Sequence, residues 1–533
     1  MNVVIAPLLV ALANILAALV TRRSPRIQRP VSALGGLVYA GAVGWAVWTV
    51  VLGADAPGTA TYQVGNWPAP FGITLVLDGL SAFMLVVAAA VAVPAIGVSV
   101  RFVDRANQRV FYHPLFHLLL LGVTGAFLTG DLFNLFVWFE VMLMTSYVFV
   151  SFYGGAQHTA AAFRYLVLNV VGSATFLLAV GGLYAVTGTL NMADMSRRLV
   201  DAPAYGIDPL PVVGLSALLL ATFALKAGLV PFQFWVPGAY RAAPLPVAAM
   251  LAGATKKVGM YAIVRVYFTV LAGAAVPVDL PLVDGGSPLA FLAPVLLTMG
   301  VASVLLGGLG AVASPSLEEL LAYSSVGQVG FIAVPVGLAA AAESATVRRL
   351  GLVAALVYAL HHALAKGMLF LSAATVRGAT GTNRFAELGG LGRQSPVLSS
   401  AVLVGMLSLV GIPPLSGFFG KFLVLDAATS GVAAAGGAGR TLVLLVLLVG
   451  AVLTILYVTR AWVGGFWGVR SGQVRAATVD PVQVAILVAV AAAVVGVGLG
   501  FEPVVDFARA AVEAALDRGA YVEAVGPAGD GSA

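Results

Sequence analysis

The chain has 533 residues, of which 60% are hydrophobic and only 9% charged, and its mean hydropathy is +1.02. A soluble surface of this size cannot be built from so few charges, so the composition excludes a soluble globular protein and indicates an integral membrane protein. The net charge of +6 comes from arginines beside apolar stretches, which indicates membrane topology and not nucleic-acid binding, and the absence of cysteine excludes disulfides, zinc–thiolate sites and cysteine-ligated iron–sulfur clusters.

Apolar stretches of helical length follow one another along the whole chain. Since about 20 apolar residues cross a bilayer as a helix, they predict an all-α polytopic membrane protein with about 14 transmembrane helices. The first stretch has no positive region before it, so we interpret it as a retained helix and not as a signal peptide. The predicted spans are residues 3–20, 31–52, 77–100, 111–129, 132–152, 162–186, 211–234, 244–271, 289–313, 320–339, 350–376, 397–427, 441–462 and 482–501.

Arginines outside these spans concentrate in alternate loops. The clusters are residues 22–29, 101–109, 377–393 and 460–475. Because basic loops tend to face the cytoplasm, we expect both termini on the extracytoplasmic side. Residues 55–72, in which Gly65, Pro68 and Pro70 accompany the run TYQVGNW, predict an outside hairpin. Residues 504–516 predict an amphipathic helix, followed by a disordered end rich in glycine and alanine.

Two apolar stretches are too long for one straight crossing. Residues 211–240 and 397–427 each hold about 30 residues, or roughly 45 Å of helix against a hydrocarbon core of about 30 Å. Glycine and proline interrupt them at positions 228–231 and 411–414, so we predict that the seventh and twelfth helices are broken. Broken helices in corresponding places indicate an internal repeat, and an offset of five helices makes the second copy run upside down.

All of the lysines lie in apolar stretches, whereas the loops carry only arginine. An ammonium group in the middle of a bilayer costs about 2.5–3.5 kcal/mol on insertion scales, so a chain that keeps several of them usually uses them. A desolvated lysine, unlike an arginine, can release its proton. The lysines are therefore a candidate proton path. They are Lys226, Lys256, Lys257, Lys366 and Lys421.

Glu140 is the only glutamate near the centre of a predicted span. A buried carboxylate needs a cationic partner, and Lys226 is the first candidate because of its depth and the broken helix beside it. A coupled pair of this kind suits transport, because moving either charge shifts the proton affinity of the other. The alternative is a static ion pair that only fixes helix packing.

The other candidate relay groups lie on three further helices. Lys256 and Lys257 point about 100° apart on a helix, so we favour Lys257 as the relay group and leave a snorkelling or packing role open for Lys256. His362 and Lys366 are four residues apart on one helix face, close enough to share water. The alternative for His362 is a bond to a backbone carbonyl. Lys421 would end the row near one membrane face.

Several polar residues are given supporting or structural roles. Ser324, Ser325 and Gln328 could order water between the histidine and the lysines, or simply bond across helices. His113 and His117 face the same side of the fourth span, which favours a structural role over ligation of a haem or a metal. No acid cluster inside the spans supplies the several oxygen ligands of a sodium site, so we expect no metal or cofactor in this chain. His361, beside His362, is predicted to point elsewhere.

Four ordered motifs within about residues 60–464 resemble a known family. They are GDLFNLFVWFEVMLMTSYVFV, LKAGLVPFQFWVPGAYRAAPLPVAAMLAGATKKVGMYAIVR, HHALAKGMLFL and GIPPLSGFFGKF. They are similar to the proton-translocating antiporter-like subunits shared by respiratory NADH:quinone oxidoreductase, membrane hydrogenases and multisubunit Mrp-type cation/proton antiporters. The first motif and the chain length resemble the D-subunit branch of the Mrp antiporters most.

The resemblance implies two inverted five-helix repeats, helices four to eight (residues 111–272) and nine to thirteen (286–464), between an N-terminal part (1–110) and a C-terminal part (465–533). It also maps the family's relay residues onto this chain. They are Glu140 in the fifth helix, Lys226 in the seventh, Lys257 in the eighth, His362 and Lys366 in the eleventh and Lys421 in the twelfth. This chain departs from the family at Glu318 and Glu319, where relatives commonly carry a basic pair, and the contacts of a partner with that pair are in doubt.

The function that the resemblance implies is proton conduction within a cation/proton antiporter complex of the cell membrane. The complex would exchange cytoplasmic Na+ or another monovalent cation for external protons through a buried Glu/Lys/His relay. The partners would be other membrane subunits, one of which would hold the cation site, and this chain would be a transporter subunit without catalytic residues. Two alternatives stay open: a proton-pumping subunit of NADH:quinone oxidoreductase or membrane-bound hydrogenase, and a single-chain transporter of an organic solute.

Overall fold

The computed structural model describes residues 2–103, 111–276, 278–280, 283–435 and 437–527, and most of them are helical. Arg105 and Arg109 of the basic loops and the last six residues lie outside the described part of the chain. The helices are α1 (Ala6–Val20), α2 (Pro25–Val47), α3 (Gly79–Phe102), α4 (Tyr112–Leu128), α5 (Leu132–Val150), α6 (Gly155–Thr187), α7 (Met192–Val200), α8 (Leu210–Ala227), α9 (Trp235–Ala242), α10 (Leu245–Met250), α11 (Lys256–Val264), α12 (Pro288–Ala313), α13 (Leu317–Ala340), α14 (Ala345–Thr380), α15 (Phe385–Leu388), α16 (Leu391–Gln394), α17 (Pro396–Val410), α18 (Ser416–Ala435), α19 (Ala438–Ala461), α20 (Gly472–Arg475), α21 (Pro481–Leu499), α22 (Phe501–Leu516) and α23 (Arg518–Val525). The strands are β1 (Thr59–Gln63), β2 (Thr74–Asp78), β3 (Val278–Leu280) and β4 (Val283–Gly285).

The apolar helices confirm an all-α polytopic membrane protein. In the described residues, 11 helices are long and apolar enough to cross a membrane, and the bent pair Phe385–Gln394 and Pro396–Val410 would make up to 12. The shorter apolar helices α1 and α4 coincide with the first and fourth predicted spans. The number of fourteen spans therefore stays a prediction, although each predicted span overlaps a helix.

The seventh and twelfth predicted spans are broken, as expected from their glycines and prolines. α8 ends at Gly228, which has a φ of +70°, and α17 ends at Gly411, which has a φ of +94°. Only glycine adopts this left-handed conformation readily. The helix resumes a few residues later, as α9 in the first case and α18 in the second. Lys226 lies in the last turn before the first break, and Lys421 lies in the second turn after the other.

The eighth predicted span is one continuous helical element of mixed geometry. α10 and α11 are joined by the π-helical turn Leu251–Thr255, and a second π-helical turn, Arg265–Val270, follows α11. Such turns widen the helix by one residue and are frequent at functional sites. The first of them directly precedes Lys256 and Lys257.

The lysine-bearing helices lie at the centre of the molecule. The span formed by α10 and α11, together with α13 and α14, is covered almost completely by other helices, whereas α2, α6 and α21 leave much of their surface uncovered. The apolar outer helices thus suit contact with lipid or with other membrane proteins. The polar side chains of the central helices are held away from both.

The predicted hairpin is present, although its side of the membrane stays a prediction, and its second strand comes later than expected. β1 and β2 pair antiparallel from Thr59 opposite Asp78 to Gln63 opposite Thr74, so β2 occupies residues that the sequence assigns to the loop and the start of the third span. The reason is Asp78, whose carboxylate accepts a hydrogen bond from the Ser81 amide and so begins α3 only after this residue.

The C-terminal tail contains two helices and not one. α22 begins at Phe501, three residues before the predicted start, and α23 is a helix where the sequence predicts disorder. Asp517 caps α23 by accepting from the Ala520 amide, and Tyr521 is buried against the helices beneath it. α22 lies so close to α3 that a Cβ on Gly79 would be 2.7 Å from the Ala510 carbonyl oxygen.

Candidate functional site

All five lysines are buried, and Lys421 is the most exposed of them at 7%. His361 and His362, two neighbouring histidines of α14, are buried among these lysines. Buried ammonium groups are rare unless they are paired or used. The centre of the molecule therefore holds a polar core that packing alone does not explain.

Lys226 and Glu140 lie close to each other but are not joined directly. The Lys226 amine makes no hydrogen bond to any described residue and lies 6.0 Å from the centre of the Phe139 ring. The Glu140 carboxylate accepts a hydrogen bond from the Ser173 hydroxyl on α6. Because no direct ion pair ties the two residues, their coupling acts through space, and Glu140 remains half-buried at the α5–α6 surface.

Lys257 and His362 form the most direct contact in the row. The Lys257 Nζ lies 2.6 Å from Nδ1 of His362 and donates to the Ala252 carbonyl oxygen at 2.8 Å. At this distance one nitrogen must donate and the other accept, so the two groups share a proton. The sequence predicts that His362 shares a helix face with Lys366 and could bridge the lysines on either side, and the structure brings it into direct contact with Lys257 of α11.

Lys366 and Lys256 both reach α13. The Lys366 amine donates to the Ser324 hydroxyl and, at 3.1 Å, to the Leu321 carbonyl oxygen. The Lys256 amine donates to the Ser325 carbonyl oxygen at 3.4 Å. The sequence suggests a water-mediated role for Ser324 and Ser325, and the structure adds a direct one: a hydroxyl from the first and a backbone oxygen from the second.

Lys256 does not snorkel to a membrane surface. Its side chain is fully buried and runs beside the first helix break, where a Cβ on Gly228 would lie 2.9 Å from the Lys256 Cε and 3.1 Å from its Nζ. The open snorkelling role is therefore wrong for this residue. Sequence could not show this, because the close approach depends on a glycine 28 positions earlier in a different helix.

Lys421 lies at the second break. Its amine donates to the Val410 carbonyl oxygen at 2.9 Å, which satisfies the end of α17, and lies 5.7 Å from the centre of the Phe331 ring. His361 faces the same break, with Nδ1 3.2 Å from the Ser416 hydroxyl. His361 thus points away from Lys257, as expected, but towards the polar residues beside Lys421.

Gln328 takes no part in the contacts of the lysines. It accepts from the Tyr358 hydroxyl and donates to the Tyr457 hydroxyl at 3.0 Å, which ties α13 to α14 and α19. This matches the alternative of cross-helix bonding.

In the fourth span, the His117 Nε2 lies 2.9 Å from the Ser32 hydroxyl of α2, which agrees with the structural role expected for this residue. In the described residues no three histidines or acids are grouped as metal ligands.

The sequence analysis did not predict a buried ion pair that lies outside the row of lysines. Arg265 and Asp78, each nearly inaccessible, form a 2.7 Å ion pair. The guanidinium also lies 4.9 Å from the ring centre of Tyr521 in α23. The sequence signal was an acid at the start of the third predicted span and an arginine inside the eighth, and the sequence analysis assigned neither a role. This ion pair joins α3, the end of the eighth span and the C-terminal tail.

A polar cavity of about 760 Å³ opens beside the first helix break. α6, α9, the start of α13 and the end of α14 line it, with Arg164, Gln233 and Tyr323 among the lining residues. Two ion pairs lie at this cavity: Glu318 with Arg377 at 3.0 Å, and Glu319 with Arg241 at 3.2 Å. The two unusual glutamates therefore bind arginines of this same chain.

The cavity approaches the row on two sides. Tyr323 immediately precedes Ser324, the partner of Lys366. Trp235, also in the lining, donates from its ring nitrogen to the Leu225 carbonyl oxygen at 2.9 Å, next to Lys226. The Gln233 Oε1 is buried without a hydrogen-bond partner in the described residues, which suits a cavity that holds water.

Comparison with known proteins identifies the family of this chain. Residues 129–454 match the family model described as NADH:quinone oxidoreductase/Mrp antiporter, transmembrane. The chain is 32% identical over 533 residues to the D subunit of a Na(+)/H(+) antiporter of Bacillus subtilis (strain 168), and the match covers 98% of this chain and 99% of the relative. It is 35% identical over 463 residues to the N subunit of the NADH-quinone oxidoreductase of Desulforudis audaxviator (strain MP104C), and this match covers 86% of this chain and 84% of the relative.

A solved structure shares the whole fold. A chain of the Mrp complex from Dietzia sp. DQ12-45-1b superposes with a TM-score of 0.84 at 27% identity, over 98% of this chain and 100% of that chain. The segment that matches the family model begins at the end of α4 and includes every lysine, both histidines of α14 and Glu140. The chain belongs to the NADH:quinone oxidoreductase/Mrp antiporter transmembrane family.

Proposed function

We propose that this chain is the proton-conducting subunit of a multisubunit monovalent cation/proton antiporter. The observation that carries the proposal is the 2.6 Å contact between Lys257 and His362, which lies between two further buried lysines of the core. A relay needs neighbouring groups that can hand a proton on, and an amine beside an imidazole is such a pair. Full-length similarity to the D subunit of a Na(+)/H(+) antiporter and to a chain of an Mrp complex supports the same conclusion.

The path begins at the polar cavity beside the first helix break. Protons pass by water from this cavity to Lys226, and the Glu140 charge sets how readily Lys226 accepts them. Lys256 lies at the next step, because it contacts both the Gly228 break and α13. Lys257, His362 and Lys366 form the centre of the path. Lys421 and the polar residues at the second break lead to the other face of the membrane.

The exchanged cation enters elsewhere in the complex. Among the described residues, no cluster of acids or histidines can hold a metal ion, so we place the cation site in a partner subunit. Glu140 is half-buried in the isolated chain, on a pair of helices that the remaining helices leave largely uncovered. A neighbouring membrane subunit at this surface would complete its surroundings and would couple cation movement to the Lys226 charge.

Exchange in membrane vesicles tests the proposal. The complete complex is expressed in the plasma membrane of a cell without its own antiporters, and a ΔpH dye is followed in inverted vesicles as Na+, K+ or Li+ is added. We expect the intact complex to dissipate the gradient with at least one cation, and Lys226→Ala and Glu140→Gln to abolish this without loss of assembly.

Lys226→Arg is the matched variant that separates a relay from a static pair. Arginine keeps the charge and the length but does not release its proton. A relay therefore predicts no exchange by this variant, whereas a static ion pair predicts near-normal exchange. Loss of assembly in Lys226→Ala would likewise favour the static role.

A redox-driven proton pump is the second candidate, because the chain is also 35% identical to the N subunit of an NADH-quinone oxidoreductase. Such a pump would use the same row of lysines but would need electron transfer in its partners. If the assembled complex shows no cation-dependent collapse of ΔpH, and instead acidifies inverted vesicles only when an electron donor is supplied, the second candidate is correct.

A further inference from the structure

A lateral groove of about 670 Å³ lies between α2, α3 and α21. Every residue that lines it is apolar, and many are small, such as Ala33, Ala90 and Gly97. Its floor includes Leu364 of α14, which is buried, while wall residues such as Leu37 are exposed at the outer surface. The groove therefore opens sideways, towards the bilayer or a partner, and not towards water.

The flanking residues place this groove at the depth of the hydrocarbon layer. On α2 it extends from Ala33 to Gly44, or about 16 Å along the helix axis. Arg26 precedes it near the start of α2, and the exposed Trp45 and Trp48 follow it at the other end. Basic residues and tryptophans mark the two interfaces of a membrane. One end of the groove thus faces the headgroups on the side of the arginine-rich loops.

This end of the groove is positively charged. Arg26 lies two helical turns before Ala33, on the same side of α2, and Arg101 lies one turn after Gly97 at the end of α3. Both arginine side chains are exposed, and Arg101 is 3.5 Å from Asp480, the nearby acid. Among the described residues at this end, Arg26 and Arg101 stand against the carboxylate of Asp480, which leaves a net positive charge where a phosphate of this leaflet would lie.

The lining and the depth of the groove favour a lipid chain. Its residues offer a partner no hydrogen-bonding side chain, and its two ends lie at the levels marked by Arg26 and by the exposed tryptophans. A single hydrocarbon chain is fully apolar and is available at this depth.

We propose that the groove binds one acyl chain of an anionic glycerophospholipid, whose phosphate is held at Arg26 and Arg101. The bound chain contacts Leu364, which is two residues from both His362 and Lys366 and lies on the opposite side of α14 from them. The lipid therefore supports the helix that carries the centre of the row. Occupancy of the groove links the composition of the membrane to the position of these residues.

Counting retained lipid by native mass spectrometry tests the proposal. The purified complex is stripped with detergent, incubated with phosphatidylglycerol or phosphatidylcholine, and compared with Ala489→Phe, which fills the groove from α21. The control is Ala492→Phe, the same change on the same helix but in a separate apolar groove of about 480 Å³ beside α17.

We expect the parent complex and Ala492→Phe to retain one more phosphatidylglycerol than Ala489→Phe does. We also expect Arg26→Gln combined with Arg101→Gln to remove the preference for phosphatidylglycerol over phosphatidylcholine. Equal retention by all variants would overturn the proposal.

A second measurement uses the unaltered chain, so that misfolding of a variant cannot obscure the result. Phosphatidylglycerol with a photoreactive acyl chain is added to the intact complex, and the adducts are located by peptide mass spectrometry. Adducts on α2, α3 and α21 at the groove residues support the proposal. Adducts absent from these residues, or formed equally with phosphatidylcholine, contradict it, and so does a helix of a partner subunit that cross-links to single cysteines introduced there into this cysteine-free chain.

Discussion

At the scale of single residues, charge in an apolar stretch identified lysines that the structure buries at its centre, while their part in a proton relay stays a prediction. Lys226, Lys257 and Lys366 could be selected from sequence alone, because burying an ammonium group in a membrane is costly and therefore uncommon without a use. The sequence suggested that His362 could bridge the lysines on either side of it, but not the geometry of the contact. Lys257 meets His362 across two helices, a contact that depends on tertiary packing and on the π-helical turn before Lys257, and no periodicity in the sequence reports either.

Lys256 shows most clearly what the sequence alone does not reveal, because its position depends on tertiary packing. It also gives a testable prediction. Because its amine joins the first helix break to α13, Lys256→Met should lower the exchange rate at least about tenfold, roughly 1.4 kcal/mol. Methionine fills a similar volume, so the complex should still assemble. Dye-monitored exchange in vesicles is the measurement. Unchanged exchange by Lys256→Met would show that this lysine only packs.

At the scale of elements, glycine and proline identified both broken helices, because only a few residues can end a helix in this way. The sequence could not identify which residues of other helices lie beside the two helix breaks. Glu318 and Glu319 stood out as a departure from the family, and their role became visible only once α13, α9 and α14 were placed together. The prediction of disorder for the tail was wrong, because a composition rich in glycine and alanine gives no sign of the capped helix α23.

We predict that the first helix break requires glycine at position 228, whereas a glycine outside the break can be replaced. A Cβ on Gly228 would lie 2.7 Å from Val236 and 2.9 Å from Lys256, and a φ of +70° disfavours any side chain. Gly228→Ala should therefore abolish exchange and lower the thermal stability of the complex. Gly214→Ala, in α8 with nothing within 4 Å of the new Cβ, is the control and should leave both unchanged. Equal effects of the two variants would argue against a specific requirement at the break.

The Glu318–Arg377 ion pair at the cavity gives a second prediction at this scale. Glu318 also accepts from Asn383, and it is the less exposed partner, so reversing its charge leaves two donors facing a cation. Glu318→Lys should slow exchange severalfold, and adding Arg377→Glu should restore most of the rate. A double variant that is no faster than Glu318→Lys would show that the pair does not control access to the cavity.

At the scale of the whole molecule, composition predicted the class of fold. The pattern of burial explains why this prediction is correct. Apolar helices occupy the periphery, and a small set of central helices keeps the lysines from lipid. The inverted relation of the two halves remains a prediction from the matching breaks. The Asp78–Arg265 ion pair was unpredictable, because it joins residues 187 positions apart in the chain.

Breaking that ion pair should strongly destabilise the protein. Removing one partner of a buried pair leaves an uncompensated charge and costs about 3–5 kcal/mol. Asp78→Asn should therefore lower the unfolding temperature of the detergent-solubilised chain markedly. The exposed Asp506–Arg509 pair provides the control, since Asp506→Asn should change stability by about 0–1 kcal/mol. Similar small shifts in both variants would mean that water reaches Arg265.

The C-terminal tail has a consequence for biogenesis. The ring of Tyr521 covers Arg265, and the Thr269 hydroxyl donates to the Ala515 carbonyl oxygen at 2.8 Å. Translation reaches these covering residues only after α3 and the eighth span, so Asp78 and Arg265 can meet before the ring of Tyr521 covers them. A chain truncated before α23 would leave this ion pair uncovered on one face.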